Sequence, residues 1–344
     1  MHTLLLVLAA LFPAPPLPQA PPASAAANPA APAKPQVTAW VEVARVVDGD
    51  TIHVKLAGKL EKLRLLCVDT EEKLGSGASS PTKPQTVFGE ACALWAQEFF
   101  QKLEKDGAPA KIGLLFPPGR ENHRDTYGRL LCHVILPDGT DYNVMIVKLG
   151  KSPYFTKYGY SEIAHAEFVA AQAEARSKKI GIWDPATNAP QTAGAPSAAR
   201  PYDRLLPWWD MRAEAVRAFT ELRAKEPKLV FEAESGASLA EAVAAGGLEA
   251  TALSKARVFG EIDRVFEEAD GSETVLFRAA VRDEALRVRI PKEAVAALAG
   301  AKLAQRGEEF QQNYVWYRGR IERDGKGFRS TCSDPAAWSD GRKP

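Results

Sequence analysis

Five charged side chains lie where β-rich runs of this sequence begin and end: Asp50, Arg64, Asp69, Glu72 and Arg129. Asp50 closes an acidic tight-turn sequence, Asp48-Gly49-Asp50, between the runs Trp40–Val47 and Thr51–Leu56. Asp48 is read as shaping that turn. Arg64 and Asp69 bracket the apolar stretch of Arg64-Leu65-Leu66-Cys67-Val68-Asp69-Thr70-Glu71-Glu72, which places both where the run ends. A third segment, Arg124-Asp125-Thr126-Tyr127-Gly128-Arg129, opens a later strand. Together these residues supply what phosphodiester hydrolysis needs. Hard oxygen ligands hold a divalent ion, a carboxylate positions or deprotonates a water, and two guanidiniums stabilise charge on phosphoryl oxygens.

The elements that must position them follow from pattern. After Trp40–Val47 and Thr51–Leu56, a third strand is expected over Leu63–Val68. Helical spacing of Ala91, Leu94, Trp95, Phe99 and Leu103 predicts a helix over Phe88–Lys105. Two strands, Lys111–Phe116 and Tyr127–Leu136, and two helices, Tyr142–Leu149 and Glu162–Lys178, complete the set. The fold class expected is mainly β with helices (α+β): a five-stranded barrel of the OB type with C-terminal helices. On its own that fold says little about chemistry.

The three charged segments, in order and at their spacing, resemble the signature segments of the staphylococcal nuclease (thermonuclease) family. They read Val47-Asp48-Gly49-Asp50-Thr51, Arg64 through Glu72, and Asp125-Thr126-Tyr127-Gly128-Arg129. The helices ending in Gly181-Ile182-Trp183 also resemble that family, so the likeness covers roughly residues 37–185. It implies that Asp50 and Asp69 bind Ca²⁺ through their carboxylates, with the Thr70 backbone carbonyl assisting. Glu72 would activate or orient the attacking water, and Arg64 and Arg129 would clamp the scissile phosphate. Tyr127, Tyr154 and Tyr158 would contact the nucleotide by stacking. The implied reaction is hydrolysis of DNA and/or RNA to products ending in 3′-phosphates. One departure stands beside these ligands, since Glu71 replaces the family's proline and adds a negative charge.

The rest of the 344-residue chain is long enough for a second core. Residues 202–254 read as a helical connector, with Trp209, Ala213, Val216 and Phe219 along one stripe. Residues 255–344 read as a second small, OB-like β-barrel with strands at Val258–Phe266, Thr274–Val281, Leu286–Ile290, Tyr314–Ile321 and Gly327–Thr331. Alternation puts Tyr314, Trp316, Arg318 and Arg320 on one side of a strand, either a platform for a single strand or a protein, or an ordinary solvated face.

Short segments divide these units. The apolar run Leu4–Phe12 and the small residues after it read as a signal peptide over residues 1–26, which predicts a secreted or periplasmic protein. A Pro/Ala-rich linker spans 27–36, and a second linker spans 186–201. No later stretch is apolar for long enough to span a membrane. Cys67, Cys92, Cys132 and Cys332 fit no zinc template, and a Cys67–Cys132 bridge is open in an oxidising compartment.

With 44 basic and 43 acidic side chains the net charge is +1, which argues against a protein that coats nucleic acid by charge alone. Two functions remain. The first is a calcium-dependent nuclease with an accessory C-terminal module, and the second a non-catalytic protein of the same fold that binds nucleic acid or a protein partner.

Overall fold

A computed structural model describes residues 36–77, 80–118, 122–125, 127–187, 189, 200–245 and 256–344. The leader expected over 1–26, and most of both linkers, lie outside the described residues.

Three antiparallel strands open the chain: β1 (Ala39–Val46), β2 (Thr51–Leu56) and β3 (Lys59–Leu65). Alternation sends Ile52, Val54, Leu63 and Leu65 into the core and leaves the residues between them facing outward. The third strand starts before the expected Leu63, because Ala57 and Gly58 take positive φ and make a two-residue hairpin. Strands β4 (Lys111–Leu115) and β5 (Leu130–Ile135) close a barrel in the order β1-β2-β3-β5-β4. Within it β3 and β5 run parallel, and the other adjacent pairs are antiparallel.

Helix α1 (Val87–Gln101) is capped by Thr86, whose hydroxyl accepts from the Gly89 amide at 2.8 Å. Its buried stripe is Gly89, Cys92, Ala93, Ala96 and Phe100, whereas Ala91 and Leu94 are exposed. Small residues let the helix approach the barrel closely. The larger Trp95 and Phe99 flank the contact and stack around Tyr142. Helices α2 (Tyr142–Lys148) and α3 (His165–Ser177) pack onto the same core, with Tyr142, Ile146, Val147 and Phe168 fully buried.

The second half starts with the long helix α4 (Tyr202–Lys225). Strand β6 (Val230–Glu232) and helix α5 (Gly236–Ala245) follow. Then come β7 (Arg257–Glu267), β8 (Glu273–Phe277), β9 (Leu286–Ile290), helices α6 (Lys292–Leu298) and α7 (Leu303–Arg306), β10 (Tyr314–Tyr317), β11 (Glu322–Asp324), β12 (Gly327–Thr331) and β13 (Trp338–Asp340). They form one sheet in the order β11-β12-β9-β8-β7-β10-β13, with β6 parallel to β7.

Two expectations from the sequence are corrected. Tyr314 and Trp316 are buried in a cluster with Phe219 of α4 and Phe259 of β7, so their rings offer no stacking platform. Strand β10 ends at Tyr317, which takes Arg318 and Arg320 off the strand on which the platform was read. The four cysteines are free thiols, so Cys67 and Cys132 form no bridge.

Helix α4 joins the halves. Trp209 meets Phe155 edge-on at 4.7 Å. The fully buried Arg212 donates to the Lys157 carbonyl at 3.0 Å on one side and to Glu261 of β7, at 3.1 Å, on the other.

Candidate functional site

Register assembles the site. Thr51 of β2 pairs with Arg64 of β3, which sets Asp50 beside that arginine. Leu63 pairs with Leu130 across the parallel β3–β5 ladder, so Arg64 lies one residue beyond that pair and Arg129 one residue before it. The turn into β2 is held by the Asp48 carboxylate, which accepts from the Asp50 amide at 3.1 Å. Gly49 is required there, because a Cβ would come within 2.6 Å of the Thr70 side chain.

Arg64 spans the two buried aspartates. One guanidinium nitrogen pairs with Asp50 Oδ1 and the other donates to Asp69 Oδ1 at 2.6 Å. Asp50 Oδ2 accepts from the Thr70 amide at 2.9 Å, and its Oδ1 also accepts from the Thr51 hydroxyl at 3.0 Å. Burial alone would raise the Asp50 pKa, but Arg64 and Lys83 outweigh it and hold the carboxyl below its ordinary range. The same contest at Asp69 is won by Arg200, Lys83 and Arg64, which hold it well below. At Asp48 burial, reinforced by Asp50, pushes the carboxyl up to about 7.

Two cations here were not expected from sequence. Lys83 reaches Asp69 at 2.9 Å and Glu72 at 2.8 Å. Arg200 pairs with Asp69 Oδ2, donates to the Asp69 carbonyl at 3.1 Å and donates to the Thr82 carbonyl at 2.8 Å. No periodicity could have exposed either, because each meets its partner through loops.

The remaining expected residues divide between cleft and core. Arg129 pairs with Asp125 at 2.8 Å, and its guanidinium lies 5.5 Å from the centre of the exposed Tyr127 ring. Tyr158 is exposed beside Phe155. Tyr154 is buried instead, stacked on Phe168 at 4.7 Å with its hydroxyl against His165, so no face of it is free for a base. Glu71 turns from the two aspartates toward Thr86 and Tyr202. A cleft of about 1290 Å³ is lined by Arg64, Asp69, Tyr127, Arg129, Tyr158 and Arg200. Glu232, Glu234 and Glu261 of the C-terminal half line it too.

The staphylococcal nuclease homologue family matches residues 62–185. The thermonuclease of Staphylococcus intermedius is 30% identical over 148 residues, which are 41% of this chain and 74% of that protein. The chain belongs to the staphylococcal nuclease family. Other nuclease-family relatives include endonuclease YhcR of Bacillus subtilis (strain 168), 33% identical over 145 residues. The match covers 41% of this chain but only 11% of that longer relative. An uncharacterized endonuclease of Escherichia coli O157:H7 is 28% identical over 148 residues, 43% of this chain and 79% of the relative.

The nuclease family implies a metal ion, and the chemistry of the donors bears on it. Two buried carboxylates and a backbone carbonyl are the hard oxygens that such a cation takes. All four carboxylate oxygens of Asp50 and Asp69, however, already accept from Arg64, Thr51, Thr70, Lys83 or Arg200. Among the described residues no group of three His, Cys, Asp or Glu side chains is placed to hold a metal. The donors therefore fit in kind, and the protein's own cations stand on them.

Proposed function

We propose that the protein is a calcium-dependent nuclease that hydrolyses phosphodiester bonds of DNA and/or RNA, leaving 3′-phosphate ends. The observation that carries this reading is Arg64 held between buried Asp50 and Asp69 at a cleft that also presents Arg129. Its volume of about 1290 Å³ exceeds the roughly 300–1,000 Å³ of a small-molecule site, which suits a polymer.

In this mechanism Arg64 and Arg129 grip the phosphate and stabilise the charge that grows on its oxygens. Glu72 takes a proton from the attacking water while Lys83 holds the carboxylate in place. The hydroxide attacks phosphorus, the P–O5′ bond breaks, and the leaving oxygen takes a proton from solvent, so that the leaving strand departs with a 5′-hydroxyl. Tyr127 and Tyr158, exposed on the cleft, stack on bases. Calcium, when held by Asp50, Asp69 and the Thr70 carbonyl, would supply further positive charge to the same oxygens.

The leader motivates a location: residues 1–26 are a cleaved signal peptide, and the enzyme acts outside the cytoplasm. N-terminal sequencing of exported protein checks this, and a start at Met1 would contradict it. Among the described residues no helix is long and apolar enough to cross a membrane.

The chemistry is tested by digesting single-stranded DNA with Ca²⁺ and with chelator, then identifying the new ends. The expected result is calcium-dependent cutting with phosphate on the 3′ side. Ends bearing 3′-hydroxyls, or cutting indifferent to chelator, would contradict it.

A further inference from the structure

Asp69 is the most heavily countered carboxylate of the site, since Arg64, Lys83 and Arg200 all reach it. Arg200 differs from the other two in origin. It stands 131 residues further along the chain and directly precedes the segment that starts α4. It is 6% exposed, and it donates to the Asp69 carboxylate, the Asp69 carbonyl and the Thr82 carbonyl. Its guanidinium also lies 5.2 Å from the centre of the Trp209 ring and 5.6 Å from that of Tyr202. Tyr202 extends the contact by donating its hydroxyl to Glu71 Oε1 at 3.1 Å. The C-terminal half is therefore anchored on the two residues flanking Thr70.

Charge decides what this means. The three carboxylates that these cations touch, Asp50, Asp69 and Glu72, are matched in number by Arg64, Lys83 and Arg200, while Glu71 is taken up by Thr86 and Tyr202. A divalent ion entering among carboxylates matched in this way finds resident cations on the oxygens it needs. That is costly unless a resident cation gives up its oxygen. Arg64 and Lys83 share Asp69 Oδ1, whereas Arg200 is the cation on Asp69 Oδ2.

We propose that Arg200 is a tethered counter-ion of the nuclease site: it competes with the divalent cation for Asp69 and so lets the C-terminal module set the site's affinity for metal. The proposal rests on the calcium reading above. It makes metal binding and module docking mutually opposed, and by linkage each weakens the other equally.

The test is calorimetric titration of the full chain with calcium chloride, comparing wild type with Arg200→Gln, with thermal unfolding as the check on folding. The variant is expected to bind calcium about tenfold more tightly or better, the scale of removing one neighbouring charge. A second readout needs no variant: calcium added to wild type should speed hydrogen exchange in residues 200–206. Unchanged or weaker binding by folded Arg200→Gln, or exchange that calcium leaves unchanged or slows, would overturn the proposal while leaving the calcium reading standing. No binding by either protein would overturn the calcium reading itself, and this proposal with it.

Discussion

Tyr202 donates its hydroxyl to Glu71 Oε1 at 3.1 Å, and Thr86 donates to the other oxygen of the same carboxylate. This pairing gives Glu71, which stands where the resemblance implied a proline, a structural role. The charge does not face the aspartates; it ties α1 and α4 to the strand-end segment between them. Tyr202→Phe should therefore lower stability by about 1–2 kcal/mol, because a buried carboxylate oxygen loses a donor. Nuclease activity should survive. Urea unfolding beside an activity assay checks both, and loss of cutting in a stable Tyr202→Phe protein would refute this account of Glu71.

Gly89 gives a sharper structural prediction. A Cβ there would lie 2.2 Å from the Glu72 carbonyl oxygen and 2.9 Å from that of Glu71, and both are backbone. Alanine normally favours a helix by about 1 kcal/mol over glycine. Here the collision should win, with Gly89→Ala destabilising by about 1–3 kcal/mol. Since the displaced atoms belong to Glu72, catalytic rate should fall as well. Equal or greater stability in the variant would show that α1 does not sit this close.

The pair between Arg212 and Glu261 holds the barrel's tail to the C-terminal sheet. Burial would raise the Glu261 pKa, but Arg212 outweighs it and the net shift is downward from 4.5. A depressed carboxylate stabilises the fold fully above its unfolded value. That contribution disappears as pH falls below about 4.5 and through the lower folded value. Glu261→Gln leaves Arg212 buried without its carboxylate, and should cost about 3–5 kcal/mol near neutrality. The difference from wild type should narrow in acid. Denaturant titrations at neutral and acid pH measure it, and a gap that widens in acid would reverse the sign argued here.

Four free thiols follow from the buried positions of Cys92, Cys132 and Cys332 and the half-buried turn position of Cys67. Thiol titration of the unfolded, unreduced protein should count four. A count of two would mean that a bridge forms after all.

Sequence made the barrel legible because each strand carries its own alternation, and Thr51–Leu56 and Leu286–Ile290 were bounded correctly by that pattern. The Asp50, Arg64 and Asp69 grouping was legible because strand ends in a barrel meet at its mouths. Lys83 and Arg200 were not, since ion pairs between loops have no period and join residues 14 and 131 positions apart. The face of Tyr314 and Trp316 was misjudged for a related reason. Alternation shows that two residues share a side, but only the tertiary fold shows that α4 covers that side. Tyr154 is another such case, indistinguishable in sequence from the exposed Tyr158 until Phe168 stacks on it. The short strands Val230–Glu232 and Trp338–Asp340, each of three residues, are too brief to carry a pattern.

The central claim, that the Arg64–Asp50–Asp69 cluster and Arg129 form a nuclease site, is tested most directly by the rate of single-stranded DNA cleavage. The measurement compares wild type with Arg129→Ala, each with calcium and with chelator, and follows DNA binding alongside. The account predicts calcium-dependent cutting by wild type and a loss of roughly 10²–10³-fold in Arg129→Ala with the DNA still bound. A folded wild-type protein that binds DNA and never cuts it, or an Arg129→Ala variant that cuts at the wild-type rate, would contradict it.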